Sequence, residues 1–163
     1  MQRFFAEIRR RKVLQTFLPY PDFCESARCL DRQRLGKQRV EVLQLLRALA
    51  GETKGWTNHP ACLMWRGHEG RLVYYGLAIC NEWVERGYKD TCAGKIAELG
   101  LRFNARSSYA PAWMGDEAFH SAHRAVLLGK DPEHYGQFGW TEGPAVPDAK
   151  GSFKDTYIWP VAS

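Results

Sequence analysis

Apolar residues at Leu35, Val42, Leu45, Leu46 and Leu49 recur every three or four positions, which places them on one face of an α-helix. Ser26 offers an N-cap oxygen and Gly51 a stop, so the pattern predicts a helix from about residue 26 to 50. Asn58 and Pro60 mark a second start. The stretch that follows runs to Arg86, with a break near Gly67 or Gly70. It carries a buried line of Val73, Leu77, Cys80 and Val84, widened by Leu72, Ile79 and Trp83. Asp90 or Thr91 opens a short helix to about Leu99. Asp116 opens another to about Lys130, with Phe119, Ala122, Val126 and Leu127 turned inward. Between Gln15 and Phe23 the prolines at 19 and 21 predict extended chain. Beyond Asp131 glycine, proline and aromatic residues predict irregular structure laid over the core, with a weak strand signal only at Tyr157–Trp159. The expectation is an all-α, compact single-domain orthogonal bundle of four or five helices with an irregular, aromatic-rich C-terminal segment.

Composition narrows this picture. A chain of 163 residues fits one domain, which divides here into a basic N-terminal extension at 1–13 and a helical domain at 14–163. The six tryptophans are expected mostly in the core. The net charge of +5 is misleading, because Arg3, Arg9, Arg10, Arg11 and Lys12 stand against Glu7 in the first 13 residues, and the remainder carries only +1. That arm reads equally as a nucleic-acid contact or as a stretch without a role. Five cysteines, an odd number without a CxxC pair, read as free thiols in a reducing compartment, and the expected location is cytoplasmic. No apolar run reaches the ~20 residues of a membrane span. His120 and His123 lack a second ligand pair, so they read as a surface or phosphate-contacting pair, and no metal site or cofactor is expected.

Candidate chemistry concentrates in the first helix. Arg34, Lys37, Glu41 and Gln44 share a face, with Asp31 one turn before Arg34. A carboxylate among cations is expected to stay ionised, able to activate water or stabilise a cationic transition state. The alternative is a solvated face of i, i+4 ion pairs. Gly36 in mid-helix carries a propensity cost and permits a close approach. Asn58-His59-Pro60 and Met64 to Glu69 add a second polar and aromatic group suited to an unstacked base beside phosphates.

Taken in order, LQTFLPYPDF, SARCLDRQRLGKQRVEVLQLLRAL, NHPACLMWRGHEG, ERGYKDT and WMGDEAFHSAHRAVLLGKDPEHY resemble the pyrimidine-dimer DNA glycosylase family, the phage-type endonuclease V family. The resemblance spans roughly residues 14–140 and is nearest to bacterial members with this RLGKQRVE helix. It implies a compact helical protein that bends double-stranded DNA, extrudes a base and uses no metal or cofactor. The family's attacking N-terminal amine corresponds to Gln15, which here lies inside the chain. The family's glutamate corresponds to Gly36 or nearby, with Asp31 and Glu41 on either side. The reading that follows is a monomeric DNA N-glycosylase excising a damaged or bulky modified pyrimidine by hydrolysis, with Glu41 or Asp31 as the catalytic carboxylate. Lys37 is the alternative, imine-forming amine, and a non-catalytic DNA- or RNA-binding module is the alternative function. Arg34, Arg39, His59, Arg66, His120, Arg124 and Lys130 are the expected DNA contacts; Arg124 and Lys130 match basic phosphate-contacting positions of the family's later helix.

Overall fold

Residues 14–160 are described in the computed structural model of the chain, and the basic extension at 1–13 lies outside them. Among the described residues there are seven α-helices and two short 3-10 turns, with no strand. The helices are α1 (Phe23–Cys29), α2 (Arg32–Leu49), α3 (Pro60–Trp65), α4 (Glu69–Glu85), α5 (Ala93–Gly100), α6 (Glu117–Lys130) and α7 (Pro132–Tyr135).

The first expected helix is two. Leu30 is fully buried and extended, with ψ 138°, and interrupts the helical hydrogen bonding. Asp31 then caps α2 by accepting from the Arg34 N–H at 3.3 Å. Asp22 rather than Ser26 caps α1. The buried Ser26 hydroxyl instead donates to the Tyr20 carbonyl at 2.9 Å, closing the preceding turn. The break between α3 and α4 falls at Gly67, whose φ of 86° suits glycine. Asp90 accepts from the Cys92 and Ala93 N–H groups before α5, and Asp116 caps α6.

The core forms where α2 crosses α4. Leu35, Val42, Leu45 and Leu46 meet Leu72, Tyr75 and Ile79, all fully buried. The crossing is tight because Gly76 has no side chain: a Cβ there would lie 2.7 Å from Val42 Cγ1. The buried face of α4 takes in Val73 and Cys80 of the expected line with Leu72, Gly76 and Ile79 beside it, and turns away from Val84. Val84 therefore faces solvent, at 52% exposure. Ala122 is only half-buried. Of the tryptophans, only Trp65 and Trp113 are fully enclosed; Trp56, Trp83, Trp140 and Trp159 pack on the core from its rim.

Residues 139–160 have no regular structure and lie along α6 as a strap. The Ala145 N–H donates to the Ala125 carbonyl at 2.9 Å. A Cβ at Gly129 would lie 2.9 Å from the Phe153 ring and closer still to the Ala145 oxygen, so glycine is what lets the strap seat. Among the described residues no helix is long and apolar enough to cross a membrane.

Candidate active site

The extended segment Leu14–Leu18 is buried, so its backbone groups need partners from the protein. Side chains of three helices supply them, and a fourth helix bonds the segment's Thr16 hydroxyl. Gln38 of α2 donates to the Gln15 carbonyl at 2.7 Å and accepts from the Phe17 N–H at 3.0 Å. Trp65 of α3 donates to Thr16 Oγ1. The Tyr75 hydroxyl of α4 lies 2.7 Å from the Phe17 carbonyl and 2.6 Å from Gln38 Oε1. From α6, His123 Nδ1 accepts from the Leu18 N–H at 3.0 Å, and His120 Nδ1 lies 2.8 Å from the Leu18 carbonyl. His120 Nε2 accepts from the Gly115 N–H, so its proton sits on Nδ1, directed at Leu18.

This cradle delivers Gln15 to Glu41. Glu41 is buried, at 6% exposure. Its Oε2 accepts from Gln38 Nε2 at 2.8 Å and from the Gln15 N–H at 3.4 Å. Burial pushes its pKa up to about 8, and the Gln15 hydrogen bond and the charges of Lys37 and Lys130 only partly offset that rise. The expectation of a permanently ionised carboxylate is therefore corrected. Desolvation outweighs the nearby cations, and Glu41 holds a proton at neutral pH. With Oε2 accepting two N–H groups, the proton belongs on Oε1.

Lys130 ends α6 beside this carboxyl. Burial, with the charge of Arg34, lowers its pKa to about 8, and its ammonium lies 5.0 Å from the Phe153 ring centre. Arg34 pairs with Asp31 at 3.1 Å. The Tyr135 hydroxyl also donates to Asp31 Oδ1, and the Asp31 N–H donates back to that hydroxyl at 3.1 Å. Burial works against ionisation of Asp31, but the bonds from Tyr135 and Arg34 hold its pKa below the usual value. Asp31 is thus a helix cap pinned by Tyr135 and favoured in its ionised form, whereas burial favours the protonated form of Glu41.

On the outer side of α2 a solvent-open groove of about 670 Å³ is lined by Asp31, Arg32, Gly36, Lys37, Arg39 and Trp83, among others. The absent side chain of Gly36 lets Trp83 lie on the helix, since a Cβ would meet its ring at 3.1 Å. Arg39 stacks on Trp83 at 4.4 Å and pairs with Asp90 at 2.7 Å. Arg32, which the sequence pattern did not single out, lies over Tyr88 at 5.3 Å.

The other expected DNA contacts divide. His59 caps α3 and packs against the rings of Trp56 and Trp159. Arg66 is exposed and donates to the Thr57 carbonyl. His120 is fully buried and cannot meet a phosphate: its imidazole is committed to Leu18 and Gly115. Arg124 is likewise engaged, bonding Glu142 at 3.0 Å, the Pro19 carbonyl at 2.8 Å and Glu117. It fastens the strap and the extended segment to α6. Both assignments are corrected to structural roles. Gln38 and Tyr75 were missed as site-builders, and His123, expected with His120 at the surface or on a phosphate, is fully buried instead. Gln38 alone left a sequence signal, as an amide on the core-facing edge of the polar face. Among the described residues no group of three or more His, Cys, Asp or Glu side chains is placed to hold a metal ion, and all five cysteines are unpaired.

The sequence profile described as pyrimidine dimer DNA glycosylase matches residues 14–95. That span takes in the extended segment, Glu41 and the groove on α2, and stops before α6 and the strap. No curated protein and no solved structure matches the chain significantly.

Proposed function

Because the chain belongs to the pyrimidine dimer DNA glycosylase family, we propose that it excises a damaged or bulky modified pyrimidine from double-stranded DNA by hydrolysis and leaves an abasic site. The observation that carries the reading is Glu41: a proton-bearing carboxyl, buried beside Lys37 and Lys130, at the end of a segment held by four helices.

As the C1′–N1 bond breaks, its electron pair leaves with the base. Glu41 Oε1 gives its proton to N1 of the departing base and becomes a carboxylate facing the cationic sugar. Water then adds at C1′ and returns a proton to Glu41, which restores the starting state. Lys37, Lys130 and Arg34 meet the flanking phosphates in this reading. Base extrusion supplies access to the glycosidic bond. An ultraviolet-induced dimer is the first substrate, and a hypermodified cytosine of phage DNA, which would make the protein a defence enzyme, the second.

The test is incubation of the protein with irradiated and modified-pyrimidine duplexes, followed by alkali. Strand breaks that depend on the altered base support the glycosylase. Binding without breaks would establish a non-catalytic DNA-binding module.

A further inference from the structure

The Tyr157 hydroxyl is buried and has no hydrogen-bond partner among the described residues. Buried polar groups in folded proteins are nearly always paired, and leaving one unpaired lowers stability. Three more such atoms stand in the same region: Gln15 Nε2, Gln44 Oε1 and His123 Nε2. Gln15 touches Glu41 through its N–H. Gln44 lies one turn beyond Glu41 on the same face. His123 lies edge-on to the Tyr157 ring at 5.4 Å. The Tyr157 oxygen is within electrostatic reach of Glu41 and Arg34. Gln15, Gln44 and Tyr157 thus neighbour Glu41, and His123 neighbours Tyr157; a site that completes its hydrogen bonds with a ligand leaves polar atoms unpaired in this way.

We propose that Tyr157 is a further catalytic residue, whose hydroxyl donates a hydrogen bond to the C2 carbonyl oxygen of the departing pyrimidine. This inference rests on the glycosylase reading above. Negative charge gathers on that oxygen as the C1′–N1 bond breaks, and a donor already in place stabilises it without reorganisation. No bond to Tyr157 forms, and its proton stays on the phenol. The strap fixes the donor. Ala145 is hydrogen-bonded to α6, Phe153 packs under Lys130, and Trp159 packs on the Tyr157 ring at 5.4 Å. The residue lies outside the span that the family profile matches, so the strap supplies a part of the site that the matched region lacks.

Tyr157→Phe removes only the oxygen. A tyrosine that merely packs would leave excision unchanged in this variant. A donor to the leaving base gives a different pair of results: thermal stability equal to or above wild type, because an unpaired hydroxyl is gone, and single-turnover excision slower by roughly 10- to 100-fold. The affinity for lesion DNA should be unchanged. The deficit should shrink on a pyrimidine made a better leaving group by a 5-halogen substituent, a dependence that a packing defect would not produce. Wild-type excision rates in Tyr157→Phe, or a variant destabilised by loss of the hydroxyl, would overturn the inference while the glycosylase reading stands. A wild-type protein that leaves no alkali-labile site in any of these duplexes would bring down both.

Discussion

Replacing Glu41 by glutamine keeps the shape of the protonated acid and removes its transferable proton. The amide oxygen can still accept from Gln38 Nε2 and the Gln15 N–H, the two bonds now made by Oε2. Excision should fall by about 100-fold or more, the scale of a general acid–base group, with DNA binding retained. Stability should move the other way. Burial raises the folded-state pKa of Glu41 from 4.5 to about 8, so the protein disfavours the ionised form that the unfolded chain adopts freely. The stability from the neutral carboxyl is complete below about pH 4.5 and is lost as pH rises toward about 8. At about pH 7 the gap approaches 2.5 pKa units, on the order of 3 kcal/mol. Glu41→Gln removes this penalty, so it should melt several degrees above wild type near pH 7–8 and within error of it near pH 4 (both about). Denaturant titrations at the two pH values, with single-turnover excision on a lesion duplex, measure both arms. A variant that excises normally, or one less stable than wild type at neutral pH, would refute the reasoning; the latter would mark Glu41 as an ionised structural partner.

Other expectations follow from the same contacts. Burial drives the His123 pKa down to about 3, so its imidazole should show no NMR titration between about pH 8 and 5; the stability its neutral form provides is present above about pH 6.5 and fades as pH falls toward 3. A normal titration near pH 6.5 would contradict its burial. Lys130→Ala should flatten the salt dependence of DNA binding by about one phosphate contact, whereas Arg124→Ala should leave that slope alone and lower stability, because its guanidinium is held by Glu142, Glu117 and Pro19. Gly129→Ala should unseat the strap, costing about 1–3 kcal/mol and speeding trypsin cleavage at the already exposed Lys150 and Lys154; unchanged proteolysis would show that the strap tolerates the Cβ. Borohydride should trap no major covalent complex with the full chain, since Gln15 meets Glu41 as a peptide N–H rather than an amine; a strong trapped band lost in Lys37→Ala would revive the imine route.

The helical class was legible in the sequence because periodic apolar positions and capping residues act locally. Leu35, Val42, Leu45 and Leu46 are buried as their spacing requires, and Gly67 and Asp116 punctuate the chain where their chemistry predicts. The polar face of α2, with Glu41, Lys37 and Arg34 together, was legible for the same reason. Protonation and engagement were not, because both depend on what other segments cover. Glu41 keeps its proton since the extended segment and its surroundings exclude water, a fact with no trace in the spacing of α2. His120 and Arg124 look like surface cations in a helix read alone. They serve instead to hold Leu18, Pro19 and Glu142, partners 18 to 105 residues away. Asp31 became a cap, and one helix became two, because buried Leu30 and the Tyr135 hydroxyl, 104 residues from Asp31, fix the chain there. Local periodicity thus determined which residues form helices and share faces. Burial and long-range hydrogen bonding, set only when the strap and the extended segment close over α2 and α6, decided which of those residues carry a proton and which hold the fold.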